Sequence, residues 1–135
     1  MLLLVAVVGA LGTTLAGNQA WITLVSDFAS TPLQTGWETS PGIIFGFIGA
    51  WIVIPVLLFA APRLSARWLA LVGLIEVGWA FLSARSIDAP GLMWFSPRPE
   101  AGPGPGAFML VGIVAAGLAL AIPPAEPLPA VDPTP

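Results

Sequence analysis

Four apolar stretches, separated by polar or turn-forming segments, set the pattern of the chain. They cover residues 2–17 (LLLVAVVGALGTTLAG), 42–61, 66–84 and 107–122 (AFMLVGIVAAGLALAI). A membrane-crossing helix needs about 20 residues, with roughly 17 as the lower limit. The second and third stretches meet that length. The first and fourth borrow flanking residues; AWITLV is available to the first, although Gly17-Asn18 marks a plausible break. The pattern predicts an all-α polytopic membrane protein. Its four transmembrane helices form an up-down bundle over residues 1–122, with two longer loops on one side. A Pro-rich tail, residues 123–135, follows and is expected to be extended. Thr14 and Ala16 also fit the small-residue pattern of a signal-peptide cleavage site, but no basic residue precedes the apolar run. An uncleaved first helix is therefore the expectation.

The connections differ in kind. Residues 18–41 are polar and carry Trp21, Asp27, Trp37 and Glu38, and within them Ala20–Val25 has the imperfect alternation of a short strand. PRLSAR, residues 62–67, reads as a tight turn bearing two arginines. Residues 85–106 form a long loop that ends in SPRPEAGPGPG, a segment expected to resist helix formation. Orientation rests on the arginines. Arg63 and Arg67 crowd the compact turn, while Arg85 and Arg98 are spread over a long loop that also carries acids. The denser pair favours both termini on the cytoplasmic side and the two long loops outside.

Composition narrows the chemistry. Of 135 residues, 57% are hydrophobic and 8% charged, against about 25% charged in soluble domains. A water-facing surface cannot be built from four arginines and seven acids, so a bilayer is the natural solvent. The net charge of −3 offers no basic patch for nucleic acid. The chain contains no His, Cys, Lys or Tyr. That removes the common haem, iron–sulfur and zinc ligands, the Schiff-base and phosphate-loop lysines, and the usual hydrolytic triads. No metal site, no cofactor bound through His or Cys and no catalytic residue is expected. Arginine as the sole basic residue, with abundant Ala, Gly and Pro, points to a bacterial inner-membrane protein.

Small residues recur every four positions at Gly9, Thr13 and Gly17, at Gly42, Gly46 and Ala50, and at Gly112 and Ala116. In lipid this spacing lets helix backbones approach closely. It suits packing within the bundle or docking of a face onto another membrane subunit.

Glu76 is the one charge in the interior of an apolar stretch, Arg67 standing at the edge of the third. Counted from Ala66, it lies about 15 Å along the helix, near the middle of a hydrocarbon layer about 30 Å thick. Insertion of an acid there costs about 3 kcal/mol, so the neutral acid with hydrogen-bond partners is the expected form. Trp51 on the preceding, oppositely directed stretch sits about 13 Å in from Gly42, at a matching level. Pro55 has no N–H, which leaves the Trp51 carbonyl without its helical donor. That carbonyl is expected to accept the Glu76 proton, and the Trp51 indole N–H to donate back. Trp79, three residues beyond Glu76, shares its helix face. Three roles compete for Glu76: a structural hydrogen bond, contact with a ligand such as a quinone, lipid head group or pigment carbonyl, and proton transport.

Trp21, Trp37, Trp68 and Trp94 fall near expected interfaces, where amphipathic rings settle. GLMWF, residues 91–95, is an apolar knot in a polar loop. A tryptophan after the first helix (NQAWITL), an arginine-bearing turn between the second and third helices and a polar tail make the chain resemble the tryptophan-associated transmembrane proteins of actinobacteria. Trp21 with Gly36-Trp37 also resembles the first outer loop of claudin-like bundles, without their paired cysteines. The first resemblance implies a topology and no chemistry.

These readings converge on a non-catalytic accessory subunit of a larger bacterial membrane complex, of a respiratory or photosynthetic kind, with membrane lipids and other subunits as partners. The competing reading is a small transporter or a lipid- or quinone-binding protein that works through Glu76.

Overall fold

The computed structural model describes residues 1–87 and 97–123. The chain is mostly helical: α1 (Leu2–Gly17), α2 (Gly36–Thr39), α3 (Pro41–Leu57), α4 (Pro62–Ile87) and α5 (Pro103–Leu120). Between them lie three strands, β1 (Ala20–Val25), β2 (Ser30–Thr35) and β3 (Arg98–Ala101). Two helices, α4 and α5, are long and apolar enough to cross a membrane; α1 and α3 are shorter apolar helices. At about 1.5 Å per residue, α1 and α3 are roughly 24–26 Å long and α4 about 39 Å.

The strands amend the all-helical expectation. They form a small antiparallel sheet in the order β2-β1-β3. β1 meets β2 across the Ser26–Ala29 turn, with irregular register near Ile22, and meets β3 from Ile22↔Ala101 to Val25↔Arg98. The sheet exists because two sequence-distant loops leave their helices at the same end of the molecule, where each satisfies the other's backbone groups. Gly102 N–H donates to the Trp21 carbonyl and extends this tie.

Several boundaries move for identifiable reasons. The second apolar stretch stops being helical at Leu57, two residues after Pro55, and residues 58–61 make the turn. PRLSAR is not the turn: Pro62 opens α4, because a proline in the first helical turn gives up an N–H that has no partner there. The same rule overturns the expectation for PGPG. Pro103 to Gly106 form the first turn of α5, behind Gly102 at its N-cap. The short α2 is set by a capping box in which the Thr35 backbone N–H donates to Glu38 Oε2 at 2.8 Å.

The core follows the length of the bundle in two clusters. One joins Val5, Trp51, Leu69, Ala70, Val72, Ala115, Ala116 and Ala119. The other, nearer the sheet, joins Ala16, Trp21, Ile44, Ala80 and Phe108. The outward positions are apolar as well: Leu3, Leu11, Leu15, Phe45, Val56, Leu57, Leu74, Leu82, Leu110 and Ile113 are each more than half exposed.

Small residues set two helix crossings. A side-chain carbon added at Gly73 of α4 would lie 2.5 Å from the Gly112 carbonyl oxygen of α5, and one at Gly112 would lie 2.5 Å from the Gly73 carbonyl oxygen. The two backbones are therefore in contact, and Ala116 packs one turn further along. Gly12 of α1 seats Val111 of α5 in the same manner. The α3 stripe behaves differently. Among the described residues nothing fills the space where a side chain would stand at Gly42 and Gly46, and Ala50 is the position of this stripe that is packed, against the first core cluster.

Candidate functional site: a buried carboxyl shared by three helices

Glu76 stands 14 residues into α4 and 11 from its end, so it lies near the middle of the longest helix. It is completely buried. Thr13 Oγ1 of α1 donates to Glu76 Oε1 at 2.8 Å, and Trp51 Nε1 of α3 donates to Glu76 Oε2 at 3.1 Å. One carboxyl thus ties three helices through two hydrogen bonds. Thr13 and Trp51 are themselves completely buried.

Each member is seated by its neighbours. Trp51 lies with its indole against the bare backbone of Gly9, where any side chain would collide with the ring. Gly9 is one helical turn before Thr13, so the same face of α1 supplies the flat seat for the indole and the hydroxyl for the carboxyl. On the other side, Gly112 brings α5 against Glu76 and Val77. All four long helices meet at this level.

The donors suit the acid in both of its forms. An indole N–H can only donate, whereas a threonine hydroxyl donates or accepts. A charged carboxylate accepts from both. A neutral carboxyl accepts from Trp51 and donates its O–H to Thr13, whose own proton then turns to a helical carbonyl. Neither form leaves Glu76 unpaired, and an unpaired buried polar group costs about 1–3 kcal/mol.

Of the residues singled out from sequence, Glu76 and Trp51 meet through the indole N–H. In place of the Trp51 carbonyl, expected to accept the carboxyl proton, the second partner is the Thr13 hydroxyl, which donates to Oε1 and which sequence reasoning had placed only in a small-residue stripe. The signal was present: a hydroxyl at the centre of an apolar stretch, one turn from a glycine. Trp79 does not join the carboxyl. Its ring packs 5.1 Å from Trp21, 5.7 Å from Phe108 and 6.3 Å from Phe47.

Trp21 departs furthest from expectation. An interfacial ring should be wetted, yet Trp21 is 1% exposed. Its Nε1 donates to the Ala16 carbonyl in the last turn of α1 at 3.2 Å, an acceptor it shares with the Gln19 N–H. Its ring enters the second core cluster between Gly36 and Gly104, neither of which has room for a side chain. Trp21 therefore pins the sheet onto the bundle. Trp37 packs edge-on against Phe45 at 5.0 Å, and Trp68 is 48% exposed, as an interfacial ring would be. Trp94, the GLMWF segment and the tail from Pro124 onward lie outside the described residues.

Among the described residues there is no group of three or more His, Cys, Asp or Glu able to hold a metal ion. No second ionisable side chain is hydrogen-bonded to Glu76 among the contacts of its carboxyl, which go to Thr13 and Trp51. The geometry fastens three helices together at Glu76. No family model, no curated protein and no solved structure matches the chain.

Proposed function

We propose that this protein is a non-catalytic structural subunit of a bacterial membrane protein complex, with α1, α3, α4 and α5 all crossing the inner membrane. Four spans are supported by the apolar exterior. Contiguous apolar surface on all four long helices has no stable place in water. At roughly 24–26 Å, α1 and α3 are slightly short for a layer about 30 Å thick, a mismatch that local thinning of the bilayer or flanking residues absorb at modest cost. The β1–β3 pairing puts both long connections at one end and the 58–61 turn at the other, as an up-down arrangement requires. In this reading the sheet is the outer cap and both termini are cytoplasmic.

The observation that carries the structural role is the sealing of Glu76. A transporter's carboxyl must meet water or cargo, and this one is completely buried with both oxygens engaged. Partner subunits suit the open α3 face, where Gly42 and Gly46 have no neighbour among the described residues. The test is a mild-detergent pull-down of the tagged chain, resolved on a native gel with mass spectrometry of the band. Fixed-ratio partners support the reading, as does their loss in Gly46→Val with the bundle still folded. A chain that runs alone or as a homo-oligomer contradicts it and returns attention to Glu76.

A further inference from the structure

A small sheet offers its edges to further strands, because each edge is a row of outward N–H and C=O groups. Among the described residues no strand lies beyond β2 or β3. The direction of the backbone groups can be assigned residue by residue. Gly102 N–H donates to the Trp21 carbonyl, so Trp21 turns its groups towards β3. Ser26 N–H donates to the Ala29 carbonyl, so Ser26 turns its groups towards β2. Direction alternates along a strand, and both hydrogen bonds give one pattern: Ile22 and Leu24 face β2, Thr23 and Val25 face β3. Pro32 is the register partner of Thr23, and Pro99 that of Leu24. Each proline therefore stands opposite a residue that faces the other way, and its nitrogen points out of the sheet.

We infer that the edge of this sheet at β2 is closed to strand addition, whether by a second copy or by a strand of a partner subunit. Three features of β2 act together. Pro32 has no N–H, so the middle of the outward row lacks its donor. The Thr35 N–H, at the end of the strand, is taken by Glu38 Oε2 at 2.8 Å. Between them, Leu33 is the extra residue of an irregular step from Thr23↔Pro32 to Ile22↔Gln34, and a bulge bends an edge away from a straight neighbour. The device matters because Ser30 to Gln34 are exposed along the whole run, so no side of the molecule covers this edge. Pro99 repeats it on β3, where Ala101, the other outward position, already has a partner. Subunits that touch the sheet must then do so through side chains. This inference goes beyond the structural-subunit reading and does not depend on it.

The experiment uses the full chain in mild detergent and a fluorescein-labelled synthetic peptide of residues 28–36 carrying P32T, which leaves its own edge able to pair. Binding is read by fluorescence anisotropy against empty micelles. P32T in the chain restores the central donor and should bind the peptide about fivefold more tightly than wild type, the worth of one net hydrogen bond. P32T/E38A also frees the Thr35 N–H and should bind more tightly still. Because the second change removes the cap of α2, P32T alone carries the comparison if the double variant unfolds, and far-UV circular dichroism reports the fold of each. Equal binding by wild type and P32T overturns the inference, whether both bind the peptide tightly or neither binds it.

Discussion

Replacing Glu76 tests whether its carboxyl works as a fastener or as a charge. In Glu76→Gln the amide has the same size. Its oxygen can accept from Trp51 Nε1 and its NH₂ can donate to Thr13 Oγ1, so both contacts at 3.1 and 2.8 Å survive in altered polarity. The freed Thr13 proton turns to a carbonyl of its own helix, as threonine hydroxyls readily do. The expected cost is under about 1 kcal/mol. Glu76→Ala loses both hydrogen bonds. Interhelical hydrogen bonds inside membranes average about 0.6 kcal/mol each, because the separated helices find other partners, so the two bonds contribute only about 1 kcal/mol. The larger part is the void: truncating a fully buried side chain of this size costs about 2–5 kcal/mol. The sum is about 3–6 kcal/mol, and packing contributes more of it than polarity. The assay is reversible unfolding of the purified chain in mixed micelles, followed by tryptophan fluorescence and far-UV circular dichroism. A Gln variant as unstable as the Ala variant would refute the reasoning, since the carboxyl's charge or proton would then be essential to the fold.

Other positions make sharper or opposite predictions. Gly73→Val should separate α4 from α5 and abolish folding or cost more than about 3 kcal/mol, because its first side-chain carbon meets the Gly112 carbonyl; the same unfolding assay measures it. Gly46→Val, on the open face of α3, should leave that stability within about 0.5 kcal/mol of wild type. Ser65 carries a buried hydroxyl with no hydrogen-bond partner among the described residues, so Ser65→Ala should be neutral or stabilising by up to about 1 kcal/mol. Trp21→Ala should cost about 3–5 kcal/mol and release the sheet, which raised protease sensitivity between residues 18 and 36 would report.

Some of this was legible in the chain. The first helix ends where Gly17-Asn18 suggested, because the apolar run and its local break agree. Ala20–Val25 is a strand as its alternation hinted, but β2 and β3 carry little pattern of their own, and only their pairing with β1 makes them strands. Prolines misled twice, at Pro62 and Pro103, since a proline that stops one helix equally well starts the next. Glu76 was conspicuous as the lone charge in the interior of an apolar stretch, and its level relative to Trp51 followed from counting residues. Thr13 could not be paired by counting on one helix pair alone. Its role depends on Gly9 letting the Trp51 ring close on α1, a contact set by the packing of three helices. Trp21 shows the same limit, because an aromatic at the end of a helix reads as interfacial until Gly36 and Gly104 are known to surround it.

The membrane-spanning arrangement underlies the rest of the account and can be tested directly, because the chain has no native cysteine. Single cysteines at Asp27, Ala60 and Pro97 would be labelled in intact cells with a membrane-impermeant maleimide. The account predicts labelling of Asp27→Cys and Pro97→Cys from outside, and protection of Ala60→Cys until the membrane is opened. Labelling of all three from the same side would contradict it, since α3 and α4 would then not cross the bilayer.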